Sequence, residues 1–281
     1  MSRLSSLLFA PFRRFFPPTP LVTVVELRGA IGAGGPGGRS LSASSVEASL
    51  AKAFKNKVSK AVVVSINSPG GAPAQSRMIM ERIRGLSIEK QIPVISYIED
   101  VGASGGYMLA LAGEDIFADP FAIVGSIGVI SAGFGFQDLI AKAGVERRVH
   151  TAGTNKLRMD PFQPEKDEDR EKFSTLLAET HTLFKDMVRK SRGDRLKGDD
   201  DVAFSGDFFL ASEGEALGLI DGTGDLRAIL KDRYGNDVKI VTINAQKSGL
   251  LSKLSGRLSA SIVDAAMQRI DDKALRSRFG L

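Results

Sequence analysis

Residues 61–71, AVVVSINSPGG, hold the clearest structural pattern of the chain. The first seven residues form an almost continuous apolar run, which is typical of a strand buried on both faces of a sheet. The proline and the two glycines that follow predict a sharp turn. We expect a helix after this turn, extending to about Arg84. A strand, a turn and a helix in this order are typical of α/β proteins.

Similar units lie on both sides of this stretch. We predict further strands over residues 21–31, 92–99, 115–119, 122–130 and 145–150. We predict further helices over 44–57, from about 104, over 136–143 and from about 164 to 192. The alternation of apolar strands and helices predicts an α/β fold with a largely parallel sheet.

The composition excludes several kinds of site. The chain has 281 residues, of which 43% are hydrophobic and 25% charged, as in a globular protein. It contains no cysteine, which excludes disulfides, thiolate metal sites and a cysteine nucleophile. The two histidines, His150 and His181, are too few for a histidine-rich metal centre. We therefore expect neither a metal nor another cofactor, and we expect no nucleic-acid partner.

We divide the chain into three parts. Residues 1–20 are basic and aromatic, contain no acidic residue, and have an uncharged stretch too short to span a bilayer. This segment fits either a disordered tail or a segment lying on an anionic membrane surface. Residues 21–235 form the main domain, and residues 236–281 form a basic C-terminal extension.

A candidate nucleophile lies in EDVGASGGYMLALAG, residues 99–113. A predicted strand ends here, and a helix begins near Ser104. The glycines allow a sharp turn and close approach of a substrate, and the N–H groups of the helix start favour a developing oxyanion. A serine at this position also fits an ordinary helix cap, and the segment alone does not decide between the two.

A second turn is expected at the same edge of the sheet. NSPGG, residues 67–71, also ends a buried strand and opens a helix. Because loops at the carboxyl ends of parallel strands converge, Gly71 is a candidate oxyanion-hole donor. An ordinary strand-to-helix turn explains the same residues.

A serine nucleophile needs a base. His181 lies in the middle of a predicted helix, whereas His150 ends a predicted strand and stays a candidate. Lys156, in the loop TAGTNKLRMDPF at 151–162, is the other candidate. A lysine amine acts as a base once burial disfavours its charged form, but most loop lysines are solvated charges.

The chain resembles the signal peptide peptidase A (SppA) family in four segments that occur in the family's order. They are SPGG at 68–71, ASGGY at 103–107, GSIGVI at 125–130 and TNKLRMDPF at 154–162. The resemblance runs from about Leu21 to Leu230, and the single set of motifs matches the short members of the family. It implies a fold like that of Clp protease and crotonase, built from repeated ββα units.

The same resemblance implies a serine peptidase with a Ser–Lys dyad of Ser104 and Lys156. It further implies oxyanion donors at Gly71 and Gly105, and a lysine-orienting role for Ser126. Members of this family cut peptides, notably remnants of signal peptides, at membranes, and they assemble into homo-oligomers. We accordingly expect a bacterial-type protein with peptide substrates that is cytoplasmic or peripherally membrane-associated.

Three other interpretations remain open at this stage. A crotonase-like acyl-CoA enzyme would share the fold and would use carboxylates, of which Glu99 and Asp100 are nearest to the candidate nucleophile. A non-catalytic oligomeric scaffold at membranes would need no dyad. GAGGPG at 32–37 formally fits a dinucleotide-binding glycine pattern, but a serine-rich stretch separates it from the next helix.

Overall fold

The structure, a computed structural model, describes residues 19–32 and 40–245. The predicted membrane-surface segment lies almost entirely outside these residues. Most of the GAGGPG motif and residues 246–281 of the predicted C-terminal extension also lie outside them.

A mostly parallel sheet forms the centre of the fold. The strands are β1 Leu21–Arg28, β2 Ser59–Ser68, β3 Val94–Ala103, β4 Asp115–Ala118, β5 Ile123–Gly125, β6 Phe208–Leu210, β7 Gly222–Thr223 and β8 Lys239–Asn244. They are ordered β6-β5-β3-β2-β1-β8, with β4 placed between β3 and β7. Every pair is parallel except β5 with β6. The predicted α/β class with a largely parallel sheet is confirmed.

Helices follow most of the strands. They are α1 Ala43–Ala53, α2 Pro73–Lys90, α3 Gly105–Ala110, α4 Gln137–Lys142, α5 Asp167–Arg192, α6 Asp200–Ala203, α7 Ala211–Ala216 and α8 Leu226–Tyr234, with a 3-10 turn at Gly193–Arg195. Pro73 occupies the first turn of α2, where its missing N–H has no partner to lose. The long helix α5 has acidic residues in its first turn and basic ones in its last, which complements the helix dipole.

The two faces of the sheet carry separate apolar clusters because side chains alternate along each strand. Val62 and Val64 of β2 point into the larger cluster, together with apolar residues of α1, α2, α3 and α5. Ala61 and Val63 point to the other face, where α8 packs with Leu226 and Leu230. Helices therefore pack on both faces of the sheet, α1, α2, α3 and α5 on one face and α8 on the other.

β3 changes its neighbour halfway along its length. Its first half pairs with β4 and its last three residues pair with β5. At the same point a bulge interrupts the pairing with β2, because β2 advances from Ile66 to Ser68 while β3 advances from Ile98 to Gly102. The bulge, residues 99–101, redirects the end of β3 just before Ser104.

Residues 130–166 form an arm in which every residue is exposed or half-buried. The strand predicted over 145–150 is wrong, because this segment is exposed coil and pairs with no strand that the structure describes. The strand predicted over 122–130 is confined to β5, since Gly125 with φ 91° and Ser126 with φ 50° turn the chain out of the sheet. At the other edge, β8 adds to β1 from within the segment assigned to the C-terminal extension.

Candidate active site

Ser104 lies at the junction of β3 and α3 in a strained backbone conformation. Its φ is 53° and its ψ is −121°, a combination that residues with a side chain rarely adopt. Its N–H donates to Gly125 O at 2.8 Å, and its carbonyl accepts from Met108 N at 3.0 Å. The side chain makes no capping hydrogen bond to α3. Ser104 thus occupies the cap position, but its hydroxyl does not act as a cap.

The turn after β2 packs directly against this junction. Gly70 has a φ of 101°, and a methyl group on it would lie only 2.9 Å from the Cβ of Ser104. A methyl group on Gly105 would lie 3.2 Å from the Gly71 nitrogen. The backbones of the two loops are therefore in direct contact, at distances that only glycine permits.

The direction of the Gly71 N–H follows from its neighbours. Ile31 donates its N–H to Gly70 O at 2.8 Å and accepts from Ala72 N at 2.8 Å. In a parallel bridge of this kind the middle residue, here Gly71, points its own N–H away from the partner strand. The Gly71 N–H therefore points away from Ile31, on the side where Gly105 packs.

Ser68 Oγ binds one of the N–H groups of this turn, that of Gly70, at 3.2 Å. The N–H groups of Gly71 and Gly105 have no backbone acceptor within residues 19–32 and 40–245. Two adjacent free N–H groups beside a serine can stabilise a negatively charged oxygen. Such a pair of donors is one of the groups that acyl transfer to a serine would need.

Ser126 belongs to the same neighbourhood through the backbone. It follows Gly125, whose carbonyl binds the Ser104 N–H, and its own N–H donates to Asp207 O at 2.7 Å. On the other side of this segment, Nε2 of His181 lies 2.8 Å from the carbonyl of Ile127. His181 is thus engaged in holding the segment after β5.

Lys156 and His150 lie on the arm, where both are exposed. The Lys156 N–H donates to Gly153 O at 3.3 Å within a turn. No hydrogen bond or ion pair in the described part of the chain joins Lys156 to Ser104 or Ser126. The structure brings Ser104, Gly71, Gly105 and Ser126 together, but it does not bring Lys156 to them.

The arm is organised by contacts of its own. Arg147 binds Asp160, whose side chain is 2% exposed, and stacks on the ring of Phe162 at 4.7 Å. The Phe162 ring also contacts Phe136, at 5.7 Å between centroids. The arm therefore has a defined internal structure despite its exposure.

Glu99 and Asp100, the carboxylates of the acyl-CoA interpretation, are already engaged. Glu99 accepts from Ser65 Oγ at 2.6 Å and pairs with Arg28 at 2.5 Å. Asp100 accepts from the side-chain amide of Asn67.

Reasoning from the sequence missed Asn67 and Ser68 as parts of the site. The signal available was a polar residue at the very end of an apolar strand, directly before the glycine turn.

Tyr107, three residues after Ser104, anchors α3 in the core. Its hydroxyl donates to Leu219 O at 2.6 Å. Burial raises the pKa of Tyr107 well above its usual range, so this hydroxyl stays protonated and bonded.

Among the residues that the structure describes, no helix is long and apolar enough to cross a bilayer.

Comparison with known proteins gives relatives over nearly the whole chain. A Brucella abortus protein named Na(+)/H(+) antiporter NhaA is 48% identical over 96% of this chain, which corresponds to 38% of that protein. The chloroplastic serine protease SPPA of Arabidopsis thaliana is 31% identical over 78% of this chain and 33% of its own length. The chain thus spans little more than a third of these relatives. Because most of the antiporter-named protein lies outside the match, its name transfers no activity.

A solved structure shares the fold. A mutant of the 1510-N membrane-bound stomatin-specific protease, in complex with a substrate peptide, superposes with a TM-score of 0.51. The alignment covers 85% of this chain and 97% of that one at 15% identity, so it bears on the fold alone. The family model described as "Peptidase family S49" matches residues 87–236, more than half of the chain and including Ser104, Ser126 and Lys156. The chain belongs to peptidase family S49.

Proposed function

We propose that this chain is a serine endopeptidase in which Ser104 is the nucleophile and Lys156 is the general base. One observation carries the proposal. Ser104 is held in a strained conformation with its hydroxyl unused as a cap, directly against the free N–H groups of Gly71 and Gly105. Strain of this kind is a cost to the fold, and it is found where a side chain must point into a reaction site.

The reaction follows from these groups. The neutral amine of Lys156 takes the proton of the Ser104 hydroxyl while Oγ forms a bond to the carbonyl carbon of the substrate. The carbonyl oxygen becomes an oxyanion bound by the N–H groups of Gly71 and Gly105. When the oxyanion collapses, the C–N bond breaks and the Lys156 ammonium returns the proton to the leaving amine. Water then attacks the acyl-enzyme with the same base, which frees Ser104.

Lys156 has to approach Ser104 for this reaction to occur. It lies on the arm, which exposes large apolar side chains such as Ile130, Phe134 and Leu139, at 67%, 80% and 62%. Several large apolar side chains exposed on one segment are typical of a surface that binds another protein. We infer that the chain forms a homo-oligomer that covers the arm and presses it towards the body, with Ser126 orienting the lysine in the closed site.

Peptides of membrane-associated proteins are the proposed substrates. The supporting observations are names of similar proteins: a serine protease SPPA, and a membrane-bound protease specific for stomatin. An acyl-CoA substrate is not favoured, because Glu99 and Asp100 are held by Arg28, Ser65 and Asn67.

The deciding experiment is Ser104→Ala, assayed with a fluorogenic peptide. Since the Ser104 side chain makes no capping bond, we expect activity to be lost and the free energy of unfolding to stay within about 0.5 kcal/mol of wild type. Substantial turnover by this variant would refute the nucleophile.

Ser42→Ala is the matched control. Ser42 caps α1 through a reciprocal capping box with Ser45. Its loss should cost about 1 kcal/mol of stability and leave peptide cleavage unchanged. The two serines thus give opposite results in the two assays.

A further inference from the structure

Asn67 and Asp100 join the two loops of the proposed active site at their bases. Asn67 is 7% exposed, and its Nδ2 donates a hydrogen bond to Asp100 Oδ2. Asn67 precedes Gly71 by four residues, and Asp100 precedes Ser104 by four residues. The bond therefore connects the segment that carries the oxyanion donor with the segment that carries the nucleophile.

Asp100 lies in the bulge of β3, where pairing with β2 is interrupted. Regular strand pairing would fix the position of a residue through backbone hydrogen bonds, but Glu99 and Asp100 have no partner in β2, β4 or β5. Side-chain bonds from β2 hold them instead, Ser65 to Glu99 and Asn67 to Asp100, and the second bond is the nearer in sequence to Gly71 and Ser104. Only Gly102 and Ala103 separate the bulge from Ser104, so a shift of the bulge would carry Ser104 with it.

Asn67 is itself fixed from its other side. Its backbone carbonyl accepts from Gly29 N at 2.9 Å, which holds it against the end of β1. Its Oδ1 is buried and has no partner among the residues that the structure describes. An unpaired buried oxygen destabilises a fold, and an apolar side chain here would avoid that cost. The amide at this position is therefore poorly explained by packing.

We propose that the hydrogen bond between Asn67 and Asp100 positions the reaction, because it sets the separation between the Gly71 N–H and the Ser104 hydroxyl. The inference rests on the proposed peptidase function. Both side chains are positioning residues that act through the backbone of residues 68–71 and 101–104. The chemistry at Ser104 is sensitive to this separation, since a displacement of about 1 Å can reduce a rate about 100-fold.

Exchange of the two side chains tests the proposal. Asn67→Asp places two carboxylates against each other without a donor, and it should lower kcat for a fluorogenic peptide by about 10- to 100-fold with little change in KM. Asp100→Asn should have a smaller effect, because its amide oxygen can still accept from Asn67 Nδ2. The double variant Asn67→Asp/Asp100→Asn reverses donor and acceptor and restores the bond. We expect its kcat to recover to within about threefold of wild type, as coupled sites do.

The pH dependence of Asn67→Asp adds a readout that a loss of stability would not produce. In this variant two carboxylates face each other; at low pH they share a proton and keep the bond, and at higher pH both ionise and repel. Its kcat relative to wild type should therefore fall as pH rises. The other charged groups on this face are Glu26 and Arg28 of β1 and Glu99 of β3, and they are the same in both proteins.

Thr23→Val is the matched control. Thr23 Oγ1 lies 2.9 Å from Ser59 Oγ, a buried contact between β1 and β2 at the opposite end of these strands. This variant should lower the Tm without lowering kcat, and all rates are compared below the lowest Tm of the set.

Two results would overturn the proposal: Asn67→Asp with wild-type kcat, or a double variant as slow as Asn67→Asp. An active Ser104→Ala would instead refute the proposed function. Loss of activity in Ser104→Ala together with a wild-type rate in Asn67→Asp would refute this inference alone.

Discussion

Ser104 keeps its strained backbone because its neighbours hold it from several sides. Its N–H is bound by Gly125, its carbonyl by Met108, and Gly70 lies against its Cβ. A residue in so sparsely populated a conformation costs about 1–3 kcal/mol. Relaxation would break these contacts, so the hydroxyl is held in place by hydrogen bonds and packing that do not involve the hydroxyl itself.

The role of Lys156 is tested at the same scale. Lys156→Ala and Lys156→Arg should both lower kcat by about 10²- to 10⁴-fold, which is the usual contribution of a general base. Arginine cannot replace lysine because its guanidinium stays protonated. The measurement is peptide hydrolysis across pH, in which the ascending limb of the wild-type profile should be absent from both variants.

His150→Ala and His181→Ala are the controls for the base. His150 is exposed on the arm, and His181 contacts the Ile127 carbonyl, so neither substitution removes a group from Ser104. Both should keep most of the activity. An inactive His150→Ala beside an active Lys156→Ala would replace the dyad by a serine–histidine mechanism.

At the scale of elements, the C-terminal end of α5 is fixed by a buried ion pair. The guanidinium of Arg192, 1% exposed, donates to both oxygens of Asp221, and its Nε donates to Gly218 O at 2.8 Å. Asp221 also accepts from Ile116 N at the start of β4. One carboxylate thus connects the C-terminal end of α5 to β4 of the sheet.

Arg192→Met should destabilise the protein by about 3 kcal/mol or more, because it leaves Asp221 partly buried without its main partner. Chemical denaturation would measure this value. Arg170→Met is the control on the same helix, since Arg170 is 63% exposed and its ion pairs are screened by water. Its effect should be within about 0.5 kcal/mol. Equal effects of the two substitutions would contradict this account.

The ion pair of Arg192 and Asp221 also makes the free energy of unfolding depend on pH. Burial acts to raise the pKa of Asp221, but the hydrogen bonds and charge of Arg192, with the Ile116 N–H, outweigh it and leave the pKa lowered from 3.8. The stabilisation is therefore fully present above about pH 4 and is lost as pH falls through the lowered native value. In Asp221→Asn this part of the decline in unfolding free energy should be absent.

Elements with local signals were predictable, and those that depend on distant partners were not. The apolar runs of β2 and β3 and the charge pattern of α5 identify them from the sequence. VERRVH at 145–150 alternates like a strand but pairs with no strand of the described sheet and stays exposed. β8 exists because it pairs with β1, which is more than two hundred residues away in the chain. A pairing of that kind leaves no local pattern to read.

The site follows the same rule. Ser104, Gly71 and Gly105 were predictable because each lies in a turn after a buried strand, and such turns meet at one edge of a parallel sheet. The bond between Asn67 and Asp100 depends on the bulge of β3. The pattern of apolar and polar residues in the sequence does not reveal such a bulge. In the proposed mechanism the position of Lys156 depends on how a second copy of the chain covers the arm, which one chain does not determine.

At the scale of the whole molecule, assembly is the main expectation. We expect wild-type protein to sediment as a homo-oligomer at micromolar concentration, because the arm exposes apolar side chains over much of its length. Phe134→Ser with Leu139→Ser should shift it towards monomer and lower activity together. Ile88→Ser is the matched control, since Ile88 is 79% exposed but lies near the end of α2. A wild-type protein that sediments only as monomer would overturn this expectation.

The contact of backbone with backbone around Ser104 has a consequence for how this protein can vary. A single methyl group would come within 1.9 Å of Ile31 O at Gly71, 2.4 Å of Ser76 Oγ at Gly105 and 2.2 Å of Ser68 O at Gly106. Substitutions that accumulate during evolution are often small, such as glycine to alanine. At these three positions even that substitution would cause a steric clash. The surroundings of Ser104 can therefore be disrupted by adding atoms as readily as by removing them. The site therefore stays intact only as long as glycine occupies these three positions.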